Sequence, residues 1–242
     1  MAKHTIERGN YWRALFLGFI GMALFVLLFS LILPWAAEGA LAQSFSQGLL
    51  AKTVLADVRA NSAWRLLNGK SESIELMMEF DDNSLLALSL LRAKWGPSNV
   101  ALGLMRKGRG GERDAEPTDT ELYWDEASLA AYLNRVQANV LVSRVEISEE
   151  QVAIYGNIAL AGARRNIYLA GRPKSDDLGR VVFLAGEWRV EGLAQTQQLQ
   201  NSLCEALSFE PDLSPLAWKV WAKQVVLRPG SMLVYGSSSC CH

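Results

Sequence analysis

The sequence predicts an α+β protein: one N-terminal transmembrane helix, then an outer domain in which an antiparallel sheet packs with amphipathic helices. Three observations carry this. Ala14 to Trp35 holds 22 positions without a charge, with Ser30 as the one hydroxyl. Several later stretches alternate apolar and polar residues with period two, and others repeat their apolar positions every three to four residues.

At about 1.5 Å per residue, Ala14 to Trp35 forms a helix of roughly 33 Å, enough to cross a hydrocarbon core of about 30 Å. A cleaved secretory signal competes with this reading, because Ala37 to Ala42 offers small residues near a basic front. The apolar run is about twice the usual signal core, which favours an uncleaved anchor. Lys3, Arg8 and Arg13 precede it against Glu7, and the first basic residue after it is Lys52, so the N-terminal tail is expected in the cytoplasm and the rest outside. Tyr11, Trp12 and Trp35 suit the two interfaces, and Pro34 is expected to stop the helix. The predicted division is a tail at 1–13, an anchor at 14–36, an outer domain at 37–236 and a short tail at 237–242.

The outer part, about 205 residues, suits one domain of generous size or two small ones. The chain carries 24 basic and 25 acidic residues; outside the tail, 21 basic stand against 24 acidic, which excludes a nucleic-acid-binding balance and a polybasic lipid grip. Cys204 stands alone, and Cys240 and Cys241 sit in a polar end with His242, so there is no disulfide framework and no expected metal site or cofactor.

From Glu38 to about Leu55, Leu41, Phe45 and Leu49 recur at helical spacing, predicting a second, amphipathic helix that packs on a core or lies against lipid. Asn61 to Lys70 is an apolar knot between turn residues. Glu72 to Phe80 then alternates cleanly, with Ile74, Leu76, Met78 and Phe80 on one face and Glu75 and Glu79 on the other. Leu85 to Trp95 and Asn99 to Leu104 read as strands, and Arg106 to Asp119 as a mobile loop whose glycines lack the Lys-Ser/Thr of a phosphate cradle. Asp125 caps a helix with the stripe Leu129, Tyr132, Leu133, Val136 and Val140. Leu141 to Ile147 and Val152 to Leu160 make an antiparallel hairpin, followed by strands at Asn166 to Ala170 and Val181 to Val190. A helix is expected over Leu193 to Leu207, and two closing strands at Trp218 to Leu227 and Ser231 to Tyr235 flank the Arg228-Pro-Gly230 turn.

Catalytic parts are scarce. His4 and His242 lie in the terminal tails, which leaves a nucleophile in the outer domain without a histidine partner. Glu75 and Glu79 share a strand face, an arrangement that is usually just solvated. A binder is therefore expected rather than an enzyme. The strands present more apolar face than so few helices cover, so either a packed core or a ligand must fill the space, and Met77, Met78 and Met105 would suit an adaptable lining.

Four runs narrow the identity: Leu41-Ala-Gln-Ser-Phe-Ser-Gln-Gly-Leu-Leu50, Ala63-Trp-Arg-Leu-Leu-Asn-Gly-Lys-Ser-Glu-Ser-Ile74, Thr120-Glu-Leu-Tyr-Trp-Asp-Glu-Ala-Ser-Leu-Ala-Ala-Tyr-Leu-Asn134, and Asp212-Leu-Ser-Pro-Leu216 with the terminal hairpin. From about Leu41 to Gly236 the chain resembles the LmeA-like family of bacterial phospholipid-binding envelope proteins. The resemblance implies a fold similar to tubular lipid-binding (TULIP) domains, with a helix in a strongly curved antiparallel sheet and acyl chains in the groove between. It carries no polar motif from which binding residues could be transferred. The groove walls are expected at Phe45 and Leu49 on one helix and Leu129, Tyr132, Leu133 and Val136 on the other. The expected function is a membrane-anchored, extracytoplasmic binder of phospholipid or another lipid-linked envelope molecule, which it transfers or presents. The alternative is a non-enzymatic structural or partner-docking envelope protein with a fully packed core. A homodimer or other envelope proteins are open as partners, and nucleic acid is not.

Overall fold

The computed structural model describes residues 4–49, 51–62, 65–66, 70–81, 84, 86–97, 117–137, 139–160, 163–213 and 218–238. In chain order the elements are α1 (His4–Leu49), β1 (Ala51–Arg59), β2 (Ser73–Phe80), β3 (Leu90–Trp95), β4 (Asp119–Asp125), α2 (Glu126–Val136), β5 (Val140–Ile147), β6 (Val152–Leu160), β7 (Ala163–Ser175), β8 (Val181–Val190), α3 (Gln197–Leu207), β9 (Asp212–Leu213), β10 (Trp218–Lys219), β11 (Trp221–Arg228) and β12 (Ser231–Ser237). The strand expected at Asn99–Leu104, the loop at Arg106–Asp119 up to residue 116, Met105 and the Cys-Cys-His end lie outside the described residues.

The first helix corrects two expectations. Pro34 does not end it, and no separate helix begins at Glu38: α1 runs unbroken through 46 residues with Pro34 inside. A proline in a helix interior costs about 3 kcal/mol. Leu41 and Phe45, at 1% and 5% exposure, are buried on the same helix. At roughly 1.5–3 kcal/mol for each such side chain, their burial offsets the proline. The stretch beyond Leu49 is a strand instead of more helix, because Thr53, Val54 and Val58 are β-branched and β1 pairs with β2 along its length. Among the described residues α1 is the one helix long and apolar enough to cross a membrane, a length and composition that a secretory signal also has.

Two antiparallel sheets follow. The larger has the order β1-β2-β3-β4-β12-β11 and the smaller the order β5-β6-β7-β8; β9 and β10 form a two-stranded ladder. Register aligns the apolar positions of the large sheet into rows on one face. Val54, Met78, Leu91, Leu122 and Val234 form one row, and Val58, Ile74 and Trp95 another. Period-two alternation thus becomes a continuous apolar wall. β4 was not foreseen as a strand, although Thr120, Leu122 and Trp124 alternate with Glu121 and Tyr123. Three boundaries also move. Val140 opens β5 instead of closing α2, β7 extends well past Ala170 to Ser175, and α3 starts at Gln197 because Thr196 Oγ1 caps it by accepting from the Leu199 N–H.

The sheets meet along β11. The turn from β7 to β8 reaches it through Ser175 Oγ, which donates to the Lys223 carbonyl at 2.6 Å, and through the Ala222 N–H, which donates to the Gly179 carbonyl at 3.0 Å. Phe209 bridges to Val181 by two backbone hydrogen bonds of 2.7 and 2.9 Å, fastening the end of α3 to β8. Gly179 has φ of 75°, and a Cβ there would meet Trp221 Cε3 at 2.6 Å and Cα at 2.9 Å. Partial burial pushes the Asp176 carboxyl up, but hydrogen bonds from the Arg180 and Leu178 N–H groups and the Arg180 guanidinium outweigh it and hold its pKa below the ordinary value.

Two outcomes follow for this junction. Gly179→Ala should lower the melting temperature of the detergent-solubilised chain more than Gly230→Ala does, because Gly230 has φ of 73° but open space around it. The Gly230 change alone is expected to cost about 1–2 kcal/mol from the left-handed backbone. A depressed carboxylate adds stability that is present above its unfolded pKa and lost as pH falls through the folded one. Asp176→Asn should therefore destabilise the protein at neutral pH, by an amount that shrinks as pH falls through the folded pKa of Asp176, as read by denaturant melts across the acid range.

Candidate functional site

One cluster of buried apolar residues runs from the end of α1 through the inner face of the large sheet and α2 to the small sheet and α3. On α1, Leu33, Ala37, Leu41 and Phe45 recur every four residues; Leu33 is half-buried and the other three are buried. Glu38 ties this part of the helix to the sheet, its Oε1 accepting from the Val58 N–H at 3.3 Å. Just upstream, Trp35 is 75% exposed and Leu31 and Ile32 are also exposed. The helix thus passes from exposed on all sides to packed within about one turn.

α2 is held firmly. Asp125 Oδ1 accepts from the Ser128 N–H at 2.7 Å, and Glu126 Oε1 accepts from the Ile147 N–H at 2.8 Å. Asn134 spans β5 by accepting from the Val142 N–H and donating to the Val142 carbonyl. Tyr132 packs edge-on to Trp124 at 5.4 Å between ring centroids and lies 5.0 Å from Phe209, with its hydroxyl donating to the Glu210 carbonyl at 3.0 Å. The Arg135 guanidinium stacks over the Tyr132 ring and donates to the Leu86 carbonyl.

The structure brings Phe45, Leu129, Tyr132 and Leu133 into one contiguous apolar cluster, with Val136 half-buried against it. The side chain of Leu49 lies outside the described residues, although its backbone ends α1. Met78 is fully buried on the inner face, whereas Met77 sits on the outer face beside the Arg92 guanidinium. The sheet wall is unevenly covered. Its central strands are buried, but Val54 and Ala56 on one edge and Val225 and Leu227 on the other are only half-buried.

Sequence reading missed the polar fixtures of this wall. Thr120 Oγ1, Trp124 Nε1 and Ser71 Oγ are buried and have no hydrogen-bond partner among the described residues. Buried polar groups are normally satisfied, so these three stand out from the apolar wall around them. The signal that could have found two of them is the alternation Thr120, Leu122, Trp124, which sets both on the core side of β4. On the opposite face, burial followed by the neighbouring Glu121 carboxylate raises the Tyr123 pKa above its ordinary value.

Removing the cap with Asp125→Ala should cost about 1 kcal/mol, and Leu133→Ala about 2–5 kcal/mol, both read from denaturant melts of the full chain. A Leu133→Ala cost near zero would mean that the side chain faces a fillable space instead of packed neighbours.

The sequence model of a family described as LmeA-like phospholipid-binding matches residues 29–237, from within the apolar part of α1 to the last residue of β12. No curated protein and no solved structure matches the chain.

Proposed function

Because this chain belongs to the LmeA-like phospholipid-binding family, we propose that it is a membrane-anchored, extracytoplasmic protein that takes phospholipid acyl chains from the adjoining leaflet into its apolar interior and releases them again. One observation carries this reading: α1 continues from an all-round apolar segment into the core stripe Ala37, Leu41 and Phe45 without a break. Only Ala36 separates Trp35 from Ala37, about 3 Å along the axis, so an acyl chain leaving the bilayer finds the apolar interior immediately above it. Each methylene moved from water into such an interior gains roughly 0.8 kcal/mol, so a chain passing directly between two apolar phases meets no large barrier.

The proposed lining is Phe45 and Leu49 on α1 and Leu129, Tyr132, Leu133 and Val136 on α2, a helix-against-sheet arrangement of the TULIP kind. The half-covered Val54 and Ala56 give an acyl chain a lateral way in, and the unpaired Thr120 and Trp124 donors suit ester oxygens. Binding without turnover is the activity this assigns. One observation favours a second reading, a structural envelope protein with a dry core: Leu129, Tyr132 and Leu133 are 2%, 1% and 1% exposed.

The two separate by photocrosslinking. The full chain, reconstituted with phospholipid bearing a diazirine deep in one acyl chain, should give adducts on inner-face residues such as Val54 and Phe45 as well as on Ala14 to Trp35. Val54→Trp, which fills the half-covered edge, should reduce the inner adducts and leave the anchor adducts unchanged. Adducts confined to the anchor would sink the lipid-binding reading and favour the dry core.

A further inference from the structure

The outer face of the large sheet holds a depression of about 350 Å³, across the sheet from the apolar wall. Its rim carries both signs of charge: Arg92, Lys94 and Lys223 against Glu75, Asp119 and Glu121. Arg92 is already engaged, its Nε lying 3.6 Å from Glu75 and its Nη1 3.3 Å from Glu121. Lys94, Lys223 and Asp119 are exposed and form no ion pair among the described residues. Two ammonium groups and one carboxylate are therefore free around a cavity whose fixed charges cancel.

Register locates this cavity relative to α1. Glu38 bonds to Val58, three residues and about 5 Å along the helix axis from Trp35. Asp57 is next to Val58, and Asp57, Glu75, Lys94 and Asp119 form one row across four strands. With Trp35 at the interface, that row begins at head-group depth.

We propose that the depression binds the head group of a zwitterionic phospholipid whose amine is primary, of the phosphoethanolamine type. Lys94 and Lys223 face the phosphodiester as compact charged donors, and Asp119 accepts from the ammonium. A site with no net charge matches a head group with no net charge. An anionic glycerol head group would set its hydroxyls where Asp119 needs a cation, and a trimethylated amine has no N–H to donate. This inference rests on the lipid-binding reading and names the lipid class that the same domain selects.

The test uses the acyl-diazirine probe with ethanolamine, choline and glycerol head groups, each reconstituted at equal fraction with the full chain. The parent protein should label its inner face most with the ethanolamine lipid. Lys94→Gln with Lys223→Gln, and separately Asp119→Asn, should lower that preference by roughly tenfold, the loss expected for one hydrogen bond to a charged group, while total inner-face labelling persists. All three side chains are exposed, and far-UV circular dichroism checks that the fold is kept. Glycerophosphoethanolamine should compete, and inorganic phosphate at the same concentration should not. Equal labelling by all three lipids, a preference for the glycerol head group, unchanged preference in the variants, or equal competition by phosphate would overturn the proposal. Loss of inner-face labelling with every head group in the parent would instead reject lipid binding itself.

Discussion

The structure depends on one helix meeting two different surroundings. From Ala14 to Trp35, α1 is apolar on every side; from Ala37 onward only one stripe is apolar, and that stripe is buried in the domain. Hydrogen bonds along the helix keep its backbone satisfied throughout, so the change needs no loop and no exposed amide. An unbroken helix also transmits position. What packs on Ala37, Leu41 and Phe45 is thereby held in a fixed relation to Trp35 and the apolar segment before it, as it would not be on a flexible spacer.

The large sheet complements that helix. Its inner rows are apolar from β1 to β11, whereas the outer row Asp57, Glu75, Lys94 and Asp119 is charged throughout, so the two faces differ in solvent preference across those four strands. The wall is complete at its centre and thin at its edges, where Val54 and Val225 are half-covered. α2 supports the centre: its cap, its two bonds to Val142 and the stack of Arg135 on Tyr132 hold it where the aromatic group of Trp124, Tyr132 and Phe209 forms. A domain built this way is rigid in the middle and open to change at the margins.

Most of the architecture was legible in the residue pattern. β2, the β5–β6 hairpin, α2 with its Asp125 cap and the β11–β12 hairpin all follow from local periodicity and turn residues. The errors share a cause. Pro34 and the stretch after Leu49 were judged by local preference, and tertiary contacts overrode it: burial of Leu41 and Phe45 carried the helix through proline, and pairing with β2 made Ala51–Arg59 a strand. β4 was hidden because its alternation runs directly into a helix cap at Asp125.

For the candidate site the division is similar. By itself the sequence determined that the chain has one long apolar segment, that strands such as β2 carry one apolar face, and that Leu129, Tyr132 and Leu133 share one face of α2, since each follows from the residue pattern within a single element. The tertiary structure decided the rest: that α1 enters the core unbroken, that the side chains of Thr120 and Trp124 are buried with no hydrogen-bond partner among the described residues, and that Lys94, Asp119 and Lys223 gather around one depression. These depend on which strands lie side by side, and register across β3, β4, β12 and β11 joins residues more than a hundred positions apart, a distance over which no local pattern extends.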